Sequence, residues 1–222
     1  MCKAIKASVA LALALVPTAA RAQQPITAAI DISDEQVKAV NATPGVDRQL
    51  RIVDLGKYQL AVGIVHRGPT GAARGTAGRG AAGPGAQGSG AAVPCGTSAS
   101  PASASSSSGA AGGIAHDATT ETYIIVSGSG TLVTGGHIVN GTRSGPESEV
   151  TRVLNGPSCS GTIEGQDVVR RVVKTGDIII IPAGVPHGWT DIADHVDYLS
   201  VRPDPDKVLQ RDYVHPAISA KK

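Results

Sequence analysis

The chain of 222 residues is 41% hydrophobic and 17% charged, with a formal net charge of +2. This composition is too apolar and too weakly charged for a wholly disordered protein, and the length allows one large or two small domains. The only long apolar run lies near the N-terminus and is too short to cross a bilayer, which excludes a polytopic membrane protein.

The first 22 residues are typical of a secretory signal peptide. Lys3 and Lys6 precede the apolar residues 7–16, and Ala20-Arg21-Ala22 is a small-x-small cleavage motif. We therefore expect cleavage after Ala22 and a periplasmic or secreted protein.

Cleavage also changes the charge of the chain. The removed segment carries three basic residues and no acidic one, so 17 of the 20 basic residues remain beside 18 acidic residues. A net charge of about −1, without a basic stripe for phosphate contacts, argues against nucleic acid as a partner.

Residues 23–44 form the N-terminal helical segment of the mature chain. Ser33-Asp34-Glu35-Gln36 is a capping box that predicts a short helix ending near Ala42. Residues 45–67 are rich in β-forming side chains and predict two strands, at 50–54 and 58–66.

Residues 68–113 interrupt this pattern with a low-complexity insert made almost entirely of Gly, Ala, Ser and Pro. Val93 is its only large aliphatic side chain, so the segment cannot bury enough apolar area to offset about 1–2 kcal/mol of backbone entropy per residue. We expect a disordered loop inserted into a folded domain, because the entropy of closing a loop grows only logarithmically with its length.

Residues 114–205 again predict strands, before a C-terminal tail at 206–222. Ser127-Gly128-Ser129-Gly130 indicates a hairpin turn between strands at 121–126 and 131–134. The apolar run Ile178 to Ile181 predicts a core strand. Short strands at this spacing indicate an all-β barrel or sandwich around one core.

Two cysteines remain after cleavage of the signal peptide, which removes Cys2. Cys95 and Cys159 form either one disulfide, as export permits, or two free thiols. Cys95 lies in sequence expected to be flexible, so closing the bridge would strain the chain little.

Two segments of the barrel carry the side chains best suited to metal chemistry. His116 and Glu121 converge if residues 117–120 form a turn, because side chains five apart on one flat strand face opposite sides. His187 opens a strand just after the turn at Gly184. Two imidazoles and a carboxylate would suit Fe(II), Mn, Zn or Ni and leave coordination positions open. The alternative is a pocket of polar side chains joined by ordinary hydrogen bonds.

These segments resemble the two sequence motifs of the cupin superfamily. Four residues match the second motif, G-x5-P-x-G-x2-H-x3-N: Gly176, Pro182, Gly184 and His187. Three residues match the end of the first motif, H-x-H-x(3–4)-E-x6-G: His116, Glu121 and Gly128. Ile114 stands where the first motif has its first His, and Asp191 stands where the second has its Asn. The resemblance covers residues 45–205 apart from the insert. The interval between the motifs, residues 129–175, is longer than in compact cupins, which implies a loop carrying residues 146–165.

The resemblance implies a double-stranded β-helix, or jelly-roll barrel, with a divalent metal ion inside. It assigns three of the usual four ligands to His116, Glu121 and His187. The partner it implies is a small-molecule ligand or substrate. It also implies a homodimer, because cupins commonly dimerise. The implied reaction is oxidation or isomerisation of a small oxygenated molecule. The alternatives are a non-enzymatic, metal-free module that binds a small molecule or sugar, and a structural barrel with the insert as spacer.

Further side chains are candidates for the same pocket. Trp189 and Tyr123 would line it, either stacking on a substrate or filling volume. Glu121 and Tyr123 are the catalytic candidates, with Glu121 acting as a base if the metal is absent. Asp191 would either hold a ligand imidazole or cap a turn. Arg171 would pair with an anionic substrate or lie in solvent, and His66 would act as a fourth ligand or face solvent.

Overall fold

The computed structural model describes residues 26–70, 92–98 and 111–219. The signal peptide predicted at 1–22 lies outside the described residues, as does most of the insert predicted at 68–113. The strands are β1 (Asp47–Asp54), β2 (Gln59–Arg67), β3 (Pro94–Cys95), β4 (Ala111–His116), β5 (Glu121–Thr134), β6 (His137–Arg143), β7 (Ser158–Glu164), β8 (Val169–Lys174), β9 (Ile178–Ile181), β10 (His187–Thr190) and β11 (Val196–Asp204). The helices are α1 (Asp34–Asn41), α2 (Pro216–Ser219) and a single π-helical turn (Val150–Leu154).

The strands form two antiparallel sheets that share strand β5. The order in the first sheet is β1-β2-β11-β5-β9, and the order in the second is β8-β5-β10-β4-β7-β6-β3. This topology is a double-stranded β-helix, so the all-β jelly-roll barrel predicted from the sequence is confirmed.

Alternation along the strands determines which side chains reach the barrel interior. Every second residue of β11 is buried, in the order Val196, Tyr198, Ser200, Arg202 and Asp204. Successive side chains of a strand point to opposite faces, so one strand contributes both apolar and charged groups to the same interior. The interior therefore has an aromatic and aliphatic cluster and, beside it, a set of buried polar groups.

The outer face of the first sheet is covered by the two helices. Val40 of α1 and Ile218 of α2 pack on Leu50 and Ile64 of the sheet. The helix predicted from the capping box is confirmed, because the Ser33 side chain accepts from the Gln36 backbone and the Gln36 side chain accepts from the Ser33 backbone.

The hairpin predicted at residues 127–130 is wrong, because β5 runs without interruption from Glu121 to Thr134. Its first half pairs with β11 and its second half with β8 and β10. A register shift opposite Asp197 and Tyr198, together with a φ of 71° at Gly128, bends the strand from one sheet into the other. Gly128 is thus a corner within one strand and does not end it.

Gly128 therefore has a steric requirement that can be measured. A Cβ at this position would lie 2.0 Å from the His195 carbonyl oxygen, whereas a Cβ at Gly176, which also has positive φ, would meet nothing within 4 Å. We expect Gly128→Ala to lower the free energy of unfolding by about 1–3 kcal/mol more than Gly176→Ala, since both share the conformational strain and only one clashes. Urea titration of both variants measures the difference, and equal losses would contradict the steric account.

Three other predictions from the sequence need correction. The run Ile178 to Ile181 is not all core, since Ile178 and Ile180 are 61% and 69% exposed on strand β9, which pairs only with β5 among the described strands. The expected loop at 146–165 contains the π-helical turn and strand β7. The segment 68–113 contains β3 and the start of β4, so the barrel extends into sequence assigned to the insert.

A disulfide joins Cys95 to Cys159, which resolves the alternative that the sequence left open. It links β3 to β7 across β6, at the outer end of the second sheet. Val133, Ile138 and Ile163 are buried in the hydrophobic cluster around Cys159, and Cys95 packs against the same cluster.

We expect the double variant Cys95→Ser/Cys159→Ser to lose about 4 kcal/mol of unfolding free energy. The reason is that the bridge spans 64 residues and restricts the unfolded chain, an effect that grows with loop length. Denaturant unfolding with and without a reductant measures this loss. The reductant should lower the stability of the wild type and leave the double variant unchanged; a wild type insensitive to the reductant would contradict the prediction.

Candidate metal centre

The three ligand candidates meet inside the barrel. His116 ends β4, Glu121 begins β5 and His187 begins β10, and all three are at most 3% exposed. One ligand atom of each lies within 4.8 Å of the others. The convergence predicted from the sequence is therefore confirmed.

The local sequence explains why these side chains converge. Residues 117–120 form the expected turn, and the Thr119 hydroxyl anchors it by donating to the Asn155 carbonyl at 2.8 Å. The second motif is joined to the first by the Gly184 amide, which donates to the His116 carbonyl at 2.7 Å. Gly184 has a φ of 79°, which a glycine adopts without strain.

One carboxylate oxygen faces both imidazoles. Glu121 Oε2 lies 3.1 Å from His116 Nε2 and 3.0 Å from His187 Nε2. The two rings lie edge to face with centroids 5.0 Å apart. Three potential ligand atoms thus surround one point.

The hydrogen bonds on the far side of each ring determine which nitrogen carries the proton. His187 Nδ1 lies 3.0 Å from the Val185 carbonyl oxygen, which can only accept. His116 Nδ1 lies 2.8 Å from the Ser158 hydroxyl, and this hydroxyl donates its own proton to the Gly156 carbonyl. Both Nδ1 atoms must therefore be protonated, and in the neutral rings both Nε2 atoms present lone pairs.

Two nitrogen lone pairs then point at one carboxylate oxygen. Three hydrogen-bond acceptors this close together repel one another unless a positive charge lies between them. A second proton on each ring would supply it, but burial lowers the pKa of His116 and disfavours its imidazolium form. A divalent metal ion satisfies all three acceptors at once. Imidazoles that donate their other nitrogen to a carbonyl or hydroxyl group are the usual arrangement around protein-bound metals. The residues present therefore fit a metal ion.

The other side of Glu121 is held by an extensive hydrogen-bond network. Its Oε1 accepts from Ser200 Oγ at 2.8 Å and from Arg202 Nε at 2.7 Å, while Oε2 accepts from Tyr123 OH at 2.8 Å. Burial disfavours the charge of Glu121, but the guanidinium of Arg202 outweighs it and holds the pKa of this carboxyl well below its usual range. Glu121 is therefore an ionised acceptor.

Arg202 is the largest side chain that is fully buried in the described part of the molecule. Besides Glu121, it donates to Gln49 Oε1 at 3.1 Å and to Asp47 Oδ2 at 2.6 Å. Despite desolvation, the two carboxylates raise its pKa above the usual value, so it stays charged. Sequence reasoning missed this residue, although the β11 alternation with Tyr198 and Ser200 was a signal that it faces inward.

A row of aromatic rings leads away from the metal ligands. The Tyr123 ring is 6.0 Å from the His187 ring and 4.2 Å from the Tyr198 ring, and Trp189 stacks on Tyr198 at 5.4 Å. Burial and the Glu121 charge raise the pKa of Tyr123 well above its usual value, so its hydroxyl is a hydrogen-bond donor and not a base. Trp189 and Tyr123 lie in the interior, as the sequence predicted.

Several predicted site residues lie elsewhere. Arg171 is 55% exposed and pairs with Asp177 at 3.4 Å on the surface of the second sheet, so it does not face the site. Asp191 is an exposed turn residue that accepts from Thr190 and touches neither ligand imidazole. The Arg171 assignment failed because spacing along the chain does not specify which face of the sheet a strand residue occupies. The Asp191 assignment failed because this residue lies just beyond the end of β10, at a φ of 53°, where the alternation of the strand no longer applies.

His66, the proposed substitute ligand, points away from the interior. Its Nδ1 pairs with Asp197 at 2.6 Å and its side chain is 45% exposed. Its neighbour Arg67 has the inward orientation instead, with Nε donating to Tyr198 OH at 3.0 Å. Sequence reasoning passed over Arg67, although its two-residue spacing from the buried Val65 was a usable signal.

Ile114 occupies the place of the missing first histidine. It lies on β4, two residues before His116, and pairs in register with His187. Because a hydrocarbon side chain cannot ligate, the protein offers three ligands. A set of two histidines and one carboxylate leaves coordination positions open for other molecules.

The barrel has the topology of a double-stranded β-helix, and its interior holds the His-Glu-His set. No helix among the described residues is long and apolar enough to cross a membrane. No protein-family model matches the sequence. No curated protein matches it either.

Solved structures similar to this chain include two enzymes and an uncharacterised protein. An oxalate oxidase aligns at 13% identity and a TM-score of 0.34, over 75% of this chain and 55% of its own. A protein with a double-stranded beta-helix domain from Klebsiella pneumoniae aligns at 14% and 0.35, over 82% and 93%. A hydroquinone 1,2-dioxygenase from a Sphingomonas species aligns at 10% and 0.35, over 86% and 87%. This chain thus spans about half the length of the oxalate oxidase.

Proposed function

We propose that the protein is an exported, metal-dependent enzyme that oxidises or isomerises a small oxygenated molecule inside its barrel. His116, Glu121 and His187 hold one divalent ion, for which Fe, Mn, Zn and Ni are the candidates. The proposal depends on one observation above all: Nε2 of both imidazoles lies within 3.1 Å of Glu121 Oε2, while each Nδ1 faces an oxygen atom on the other side of its ring.

The surrounding side chains prepare the three ligands for this task. Arg202 and Ser200 fix Glu121 through Oε1 and leave Oε2 directed at the two imidazoles. Ser158 and the Val185 carbonyl fix the ring orientations and the tautomers. Such pre-arrangement reduces the reorganisation needed when a cation binds.

A bound divalent ion would supply Lewis-acid chemistry or, if redox-active, a centre for reaction with O₂. The chain itself would position the substrate. Tyr123 keeps its proton and donates it to Glu121 Oε2, so its oxygen can accept a hydrogen bond from a hydroxyl group of the substrate, and the buried aromatic row excludes water.

The second candidate function is a metal-free binding module, and Ile114 favours it. This side chain removes one ligand from the set that the cupin motif usually supplies. Tyr123, Ser200 and Arg202 already give Glu121 three hydrogen bonds without a metal. The barrel would then capture a small molecule without transforming it.

Turnover by the metal-loaded mature protein tests the proposal. Protein reconstituted separately with Fe(II), Mn(II), Zn(II) and Ni(II) is incubated with a panel of small phenols, hydroxy acids and sugars, with oxygen consumption and product formation followed by electrode and mass spectrometry. Metal-dependent turnover that is lost in His187→Ala supports the enzyme. Thermal stabilisation by panel members without turnover, in metal-stripped and metal-loaded protein alike, would support the binding module instead.

A further inference from the structure

The guanidinium of Arg67 lies beside the aromatic row without a carboxylate partner in the part of the chain that the structure describes. Its Nε donates to the hydroxyl of Tyr198, a residue only 1% exposed. Within those described residues this is its one hydrogen bond, so its two terminal amino groups keep their donors. Arg202, the other inward arginine, is by contrast fully paired with Glu121, Gln49 and Asp47.

The strand register fixes the orientation of Arg67. Arg67 is opposite Val196 and follows the buried Val65 at a two-residue interval, so it shares the interior face. His66 lies between them on the opposite face and pairs with Asp197 at the surface. The Arg67 side chain therefore lies on the face of the sheet that carries the rings, and it is partly exposed at the end of β2.

A second donor near the same ring also has no partner. Trp189 Nε1 is buried without a hydrogen bond among the described residues, and the indole stacks on Tyr198. A buried donor of this kind is costly unless another molecule accepts from it. Arg67 and Trp189 thus both place unfilled hydrogen-bond donors close to Tyr198. A ligand with a hydrogen-bond acceptor would fill them, and the positive charge of Arg67 favours a negatively charged acceptor.

We propose that the barrel takes a small organic acid, whose carboxylate binds the guanidinium of Arg67 beside Tyr198. This inference rests on the proposed function, because it places the substrate in the interior that holds the metal ligands. The planar guanidinium matches a carboxylate with two parallel hydrogen bonds.

Matched acids and amides test the inference on the full mature chain. Benzoate and crotonate are titrated calorimetrically against benzamide and crotonamide, which have nearly the same shape and no charge. We expect the wild type to bind each acid at least tenfold more tightly than its amide. Arg67→Gln should weaken the acids by roughly 10- to 100-fold and leave the amides unchanged, and Arg67→Lys, which keeps the charge without the planar geometry, should fall between.

Arg171→Gln is the control, since it removes a surface arginine outside the interior. It should bind both acids like the wild type. Metal content, measured in parallel, should be unchanged in Arg67→Gln, which separates failure of this inference from failure of the metal site. The inference is overturned if the wild type binds neither acid, binds acids and amides equally, or keeps its affinity for the acids in a folded Arg67→Gln protein.

Discussion

Removal of either ligand imidazole is expected to abolish stoichiometric metal binding. We expect His116→Ala and His187→Ala to reduce the affinity for divalent metal by more than 100-fold, because each leaves two ligands where three are needed and replacement of a mere orienting partner already costs about 10- to 100-fold. Elemental analysis of purified protein and calorimetric titration of metal-stripped protein measure the effect. His137→Ala removes an exposed histidine at the start of β6 and should bind metal like the wild type.

The same series can test how the tautomers are fixed. Ser158→Ala removes the hydroxyl that accepts from His116 Nδ1, without touching a ligand atom. It should lower metal affinity by about 10- to 100-fold, an intermediate effect between the control and the ligand variants. Wild-type affinity in Ser158→Ala would contradict the argument from the lone pairs, even if the ligand variants behave as expected.

Arg202→Met is expected to have the largest effect on folding stability. The substitution leaves Glu121 and Asp47 in the interior without their cationic partner, and breaking a buried ion pair in this way costs about 3–5 kcal/mol. We expect a loss of this size in the free energy of unfolding, measured by denaturant titration of metal-stripped protein. Stripping the metal keeps ligand binding from adding to the measured stability.

Two further variants are compared with Arg202→Met. Arg171→Met breaks an exposed pair and should cost less than about 1 kcal/mol. The double variant Arg202→Met/Glu121→Gln removes one of the uncompensated charges and should recover part of the loss. A loss in Arg202→Met no larger than that in Arg171→Met would show that the buried network does not stabilise the fold.

The ligand set could be predicted because each part of it lies in a short motif. His116 and Glu121 are joined by four residues, and His187 follows a glycine turn. That the two motifs meet was implied by their resemblance to the cupin motifs, since it depends on the pairing of β10 with β4 and β5, which spacing alone does not give. The barrel class could be predicted from the succession of short strands.

The network around the ligands could not be predicted in the same way. Glu121 receives hydrogen bonds from Ser200 and Arg202, about 80 residues later in the chain, and these contacts depend on the register between β5 and β11. Alternation indicates that Arg202 faces inward, but not which carboxylate it meets. Arg171 shows the opposite error, because its charge suggested a role and its exposed position on β8 excludes it.

The corner at Gly128 shows how a local signal can mislead. Gly-Ser sequences favour tight turns, and such a sequence stands at residues 127–130, between the two halves of β5. In the fold, the left-handed glycine bends a continuous strand so that it can serve both sheets. Only the pairing of distant strands distinguishes the two outcomes.

Anomalous X-ray diffraction from crystals of the metal-loaded mature protein tests the central claim most directly. Data collected across the absorption edge of the loaded metal should show one anomalous peak bound by Nε2 of His116, Nε2 of His187 and a carboxylate oxygen of Glu121, at about 2.0–2.2 Å for a zinc ion. An anomalous map without density between these side chains, in crystals grown with saturating metal, would contradict it.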